Sequence, residues 1–158
     1  MATPAKKRAA PPVRQRSRIS VRAVDPAQHL FSLTRMQREC FPRDTFMPLN
    51  SGFWVMAFVN QIQPIGFALM IPEDEKTGVI ERVGVMPGHR GHRLQIRLLN
   101  RCEAEARKLG WDMLLATTYN NPAAANNFIY ARWTQYEPED PWCAPGTDYW
   151  MAYIEGRR

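Results

Sequence analysis

The sequence predicts an α/β (mixed α+β) fold, a central mixed sheet of six to seven strands flanked by helices. Three observations lead there. Two strongly apolar runs, FWVMAFV and IGFALMI, are separated only by NQIQP, which reads as an antiparallel hairpin at the centre of a sheet. Further along, strand-like and helix-like segments alternate, and such β-α-β connections require parallel pairing, so the sheet is mixed. A chain of 158 residues with 45% hydrophobic content suffices for one domain with a real core.

ISVRAV alternates as a short first strand. DPAQHLFSLTRMQRECF comes next with Asp25 as N-cap, Pro26 in the first turn, and Leu30, Leu33, Met36, Cys40 and Phe41 at helical spacing, ending before Pro42. The loop PRDTFMPLNSG leads into the hairpin. After the turn PEDEKTG, VIERVGV is a fourth strand, and a long helix is expected from His92 to Leu109 with Leu94, Leu98, Leu99, Cys102, Ala106 and Leu109 as its apolar stripe. Gly110 stands where a helix C-terminal glycine belongs. WDMLLATT is a fifth strand, Asn121 and Pro122 open a third helix, and TDYWMAYI closes the sheet.

The formal charge of +6 belongs to one end. Residues 1–18 carry Lys6, Lys7, Arg8, Arg14, Arg16 and Arg18 and no acid, so of 21 Lys and Arg the remainder holds 15 against 15 Asp and Glu. We therefore divide the chain into a disordered basic tail, residues 1–18, and a single neutral domain, residues 19–158. The tail is either a solubilising extension or a weak, salt-sensitive contact for nucleic acid or an acidic partner. No run approaches the roughly 18 apolar residues of a membrane span, and no secretory leader is visible, so a cytoplasmic protein is expected. Cys40, Cys102 and Cys143 fit no zinc spacing, and no metal is expected.

Two motifs carry chemistry. VGVMPGHRGHRLQ, residues 83–95, reads as a strand end, a tight basic turn and a helix start, and NNPAAANNFIYARW, residues 120–133, opens the third helix. With the order of elements, they resemble the GNAT superfamily of N-acetyltransferases over Ile19 to Ile154. Val85, Pro87, Arg90 and Gly91 match the pattern V-x-P-x-x-R-G-x-G-x-G, whereas Arg93 and Gln95 replace its later small residues. Asn121, Pro122 and Ala124 match N-P-x-A-x-x-L-Y-x-x-x-G-F, whereas Phe128 stands at the tyrosine and Arg132 at the glycine.

The resemblance implies acetyl-CoA as cofactor, with Val83, Gly84, Val85, Arg90, Gly91, His92, Arg93, Leu94, Gln95, Asn121, Ala124 and Phe128 around it. It also implies a sheet that splays at Val85 to admit the thioester. Backbone amides at a helix start suit a diphosphate, and Arg93 and Gln95 replace close approach with side-chain donors. An amine with pKa about 10.4 must lose a proton before it attacks, and Glu81, placed by alternation on the face of Val83 and Val85, is the candidate base. The departing thiolate takes its proton from Tyr119 or Tyr130, or leaves unaided, because Phe128 has no hydroxyl.

Two functions compete. The first is an N-acetyltransferase acting on a primary amine of a small molecule or protein; the second is a catalytically silent GNAT-like binding or structural protein, of the kind the resemblance associates with tailed bacteriophages. The acceptor is expected between PRDTFMPLNSG and EPEDPWCAPGTD, with Phe46, Met47 and Trp142 as apolar walls and Asp44, Glu137, Glu139 and Asp140 as attractors of a cation. The oligomeric state, monomer or homodimer, stays open.

Overall fold

A computed structural model describes residues 17–154. The expected tail therefore lies outside the described residues except for its last two positions. Arg18 is part of the fold: its N–H donates to Asn60 Oδ1 and its carbonyl accepts from the Asn60 N–H.

Among the described residues, seven strands form one sheet in the order β1-β2-β3-β4-β5-β7-β6. They are β1 (Ile19–Val24), β2 (Phe53–Val59), β3 (Gln63–Pro72), β4 (Thr77–Val85), β5 (Met113–Tyr119), β6 (Thr134–Tyr136) and β7 (Thr147–Tyr153). Of these seven strands only β4 and β5 run parallel, as the crossover through helix α2 (Leu94–Lys108) requires. The central hairpin is present, with Trp54 opposite Leu69 and Ala57 opposite Gly66. Strand β6 was not read from the sequence; TQY is three residues long and two of them are exposed.

Each face of the sheet carries its own core. Helix α1 (Leu30–Cys40) covers one face through Leu33 and Met36, packed with Trp54, Met56, Phe67 and Leu69. Helix α2 covers the other through Leu94, Leu98, Leu99, Cys102 and Ala106, and helix α3 (Pro122–Tyr130) adds Phe128 to the same core. Burial pushes the Cys102 thiol far up, so that cysteine acts as packing.

Two helix starts differ from expectation. Asp25 does cap the first helical segment, accepting from the Ala27 N–H, but Pro26–His29 form a 3-10 turn before the α-helix begins. A 3-10 turn has three residues per turn and shifts the phase of the α-helix it leads into. Leu30 accordingly faces solvent and Gln37 joins the buried stripe. Helix α2 begins at Leu94 rather than His92, because Arg93 is left-handed at φ 57° and cannot be a helical residue. Gly110, at φ 77°, ends that helix as expected, but Leu109, expected in the apolar stripe, is the exposed C-cap because the helix stops at Lys108.

Candidate active site

The parallel pair is short. β4 and β5 are in register only from Thr77–Met113 to Val79–Leu115. Beyond that point β5 stays on β7 as far as Tyr119, and β4 stays on β3 as far as Val85. The two strands must therefore part, and a cavity of about 320 Å³ opens between them, lined by both strands, by α3 and by the start of α2. The opening begins at Ile80, well before Val85, where the sequence reading placed it.

A bulge shapes its wall. Leu69 pairs with Arg82 and Met70 with Ile80, which leaves Glu81 as the extra residue on β4. Ile80, Val83 and Val85 all pack on the α2 side, whereas Arg82 reaches toward α1, so the regular alternation that would set Glu81 beside Val83 is broken here. Glu81 is exposed, lines the cavity and has no hydrogen-bond or ion-pair partner among the described residues. Arg22, on β1, donates to Gln61 Oε1 and lies over Phe58.

Beyond the bulge, alternation resumes and assigns the backbone. The Met86 N–H donates to the Ile65 carbonyl across β3. In an antiparallel ladder, residues two apart turn the same way, so Gly84 and Arg82 also bond to β3 while Val83 and Val85 direct N–H and C=O away from it, Val83 on the cavity wall. Gly84 has a packing reason to be glycine: a Cβ there would lie 2.6 Å from Phe67 Cε1 and 3.0 Å from Cys40 Cβ.

The turn after β4 keeps the glycine pattern even where the residues depart from it. Gly91 has φ 84° and Arg93 φ 57°, and Arg132, the other residue standing for a family glycine, has φ 65°. Among the described residues no side chain caps α2, so the N–H groups of its first turn lack intrahelical acceptors, and Gln95 in that turn lines the cavity. Arg90 folds back, its Nε donating to the Val85 carbonyl at 3.0 Å. Burial pushes the Cys40 thiol up, and the neighbouring Arg90 guanidinium opposes that shift. Gln95 lines the cavity with its Oε1 accepting from Asn127 Nδ2 at 2.9 Å, so it ties α2 to α3. His92 and Arg93 are exposed, and Leu94 is buried in the core.

On the far wall, Asn121 caps α3 by accepting from the Ala124 N–H, and both residues line the cavity. Phe128, 3% exposed, stacks on Trp150 with centroids 5.6 Å apart and meets Trp133 edge-on.

Residues 25–132, more than half of the chain, match the Acetyltransferase (GNAT) family. The chain belongs to the GNAT family of acetyltransferases. Solved structures agree on the fold. A Klebsiella pneumoniae protein assigned to the acyl-CoA N-acyltransferases superposes with TM-score 0.65 at 20% identity, covering 86% of this chain and 97% of its own. A GNAT acetyltransferase of Elizabethkingia anophelis with acetyl-CoA bound gives 0.66 at 15%, covering 85% and 97%. A Salmonella typhimurium protein assigned as an acetyltransferase, with its cofactor acetyl-CoA, gives 0.65 at 16%, covering 87% and 95%. No curated protein matches the chain.

Within this GNAT domain the two tyrosines named as acids are separated. Tyr119 ends β5 and lines the cavity; Tyr130 ends α3, is 70% exposed and does not. The three expected acceptor walls are not brought together either. Phe46 is exposed, Met47 packs into the core beneath α1, and Trp142 stands against Tyr149 at 4.6 Å between centroids. The α1 loop reaches the cavity through Phe41 and Asp44 instead. Thr117 and Thr118, missed in the sequence, line it as well; Thr118 Oγ1 accepts from Trp150 Nε1. Among the described residues no helix is long and apolar enough to cross a membrane.

Proposed function

We propose that this GNAT protein transfers an acetyl group from acetyl-CoA to a primary amine of a small molecule or a protein. The observation that carries the reading is the opening between β4 and β5, lined by Val83, whose N–H turns away from β3, and by Gln95 at the uncapped start of α2. The residues present fit the cosubstrate. An extended amide-bearing arm finds strand backbone turned from β3 at Val83 and at the Val85 N–H, as an added strand would, while Arg90 holds the Val85 carbonyl. A diphosphate finds the first-turn amides of α2, with Gly91 and the side chains of Arg90, Arg93 and Gln95 beside them. Asn121, Ala124 and Phe128 form the opposite wall.

Acetyl-CoA supplies an acetyl group already activated as a thioester, so few protein groups are needed. Glu81, carrying no competing partner, draws an ammonium to the cavity and takes its proton through water. The Val83 N–H, on the cavity wall, would donate to the thioester carbonyl oxygen as it gains charge. Tyr119 brings a phenolic hydroxyl to the cavity and is the donor we assign to the departing sulfur; Phe128 has none to give. Incubation with acetyl-CoA and an amine panel, read as CoA release with a thiol reagent, tests the proposal. Amine-dependent release is expected. Failure to bind acetyl-CoA at millimolar concentration would instead favour the silent binding or structural role, to which the Arg93, Gln95 and Phe128 departures point.

A further inference from the structure

Gln37 places a primary amide where almost no water reaches. It lies on α1 and is 2% exposed. A buried amide needs partners, and Gln37 has three. Its Nε2 donates to the Met47 carbonyl at 3.0 Å, and its Oε1 accepts from the Met47 N–H at 3.0 Å and from Arg82 Nη1 at 2.8 Å. The first two bonds copy the exchange between paired strand residues. Arg82 then donates through Nη2 to the Thr45 carbonyl, and its guanidinium lies 5.3 Å from the centroid of Phe41.

Helix α1 and strand β4 thus grip the loop at Phe41, Thr45 and Met47. Asp44 sits between these points, and with Phe41 and Arg82 it lines the cavity that holds Glu81. An apolar side chain at position 37 would fill the same space in this core. A buried polar hub is therefore expected to serve position more than stability. The groups assigned above to acetyl-CoA, namely the backbone of Val83 and Val85 and the starts of α2 and α3, make none of these contacts.

We infer that Gln37 and Arg82 are positioning residues that fix the loop from Phe41 to Met47 as the acceptor-side wall of the cavity, and so set affinity for the amine rather than for acetyl-CoA. This rests on the acetyl-transfer reading. The test compares the wild type with Arg82→Met, Arg82→Lys and Gln37→Glu, the last of which sets an oxygen against the Met47 carbonyl. Hydrogen exchange over residues 42–48 should quicken by about tenfold in Arg82→Met while the strands keep their protection. With benzylamine, spermidine and an Nα-blocked lysine as probes, the acceptor KM should rise about tenfold while kcat changes by less than about threefold. The calorimetric acetyl-CoA Kd should stay within about twofold, and Arg82→Lys should recover part of both losses.

Unchanged loop exchange in Arg82→Met overturns the inference, as does an acetyl-CoA Kd that weakens in step with KM. So does a lysine no better than methionine. If the wild type acetylates none of the probes, the transfer reading fails and the acceptor role goes with it. Wild-type turnover with an unchanged KM in Arg82→Met overturns the positioning role alone.

Discussion

Replacing Arg93 by glycine sets backbone strain against cofactor contact at one position. Arg93 holds φ 57° and ψ 22°, with no side-chain cap to α2. A left-handed residue with a Cβ costs roughly 1–2 kcal/mol, and glycine avoids that penalty. Glycine loses more freedom on folding, which returns about 0.5–1 kcal/mol. Removing a cation from the positive end of the helix dipole acts in the stabilising direction. The net expectation is a gain of about 0.5–1 kcal/mol, or about 1–4 °C in Tm for a domain of this size. Calorimetric melting of wild type and Arg93→Gly measures it. In parallel the acetyl-CoA Kd should weaken about three- to tenfold, because a guanidinium is lost beside the diphosphate site. A melting temperature that falls would refute the strain argument, and an unchanged Kd would remove Arg93 from cofactor binding.

Glu81→Gln keeps the shape of the bulge and removes the proton acceptor; turnover should fall by about 10²-fold with acetyl-CoA affinity nearly unchanged, checked by steady-state rates and calorimetry. Phe128→Tyr restores a hydroxyl at the family position and should raise turnover by giving the departing sulfur a proton donor, checked by steady-state rates; an unchanged rate would show that the ring serves packing alone. Gly78→Ala places a Cβ 2.2 Å from Trp111 Cζ3, so it should destabilise by about 1–3 kcal/mol in urea unfolding without altering acetyl-CoA contacts.

Much of the architecture was legible because it depends on local chemistry. Asp25 and Asn121 announce their helices as caps, Gly110 ends one, and the paired apolar runs give the hairpin. Strand β6 was illegible since three residues, two of them wet, leave no periodic trace. The bulge at Glu81 was illegible for another reason: an inserted residue is defined by its partner strand, and the sequence of β4 alone reads as unbroken alternation. The same holds for the hub of Gln37 and Arg82, whose members are 45 residues apart. Arg93 and Arg132 show the converse case. Their side chains hid the glycine pattern, while the backbone kept the positive φ that the pattern serves.

The amide signals of Val83, Val85 and the first turn of α2 test the account most directly, monitored by nuclear magnetic resonance as acetyl-CoA is added. Slowed exchange and large shifts at those amides, with Asn121 and Ala124 responding beside them, are what the open strand pair predicts. Saturating ligand that leaves them untouched, or that moves only the groove near Phe31 and His89, would contradict it.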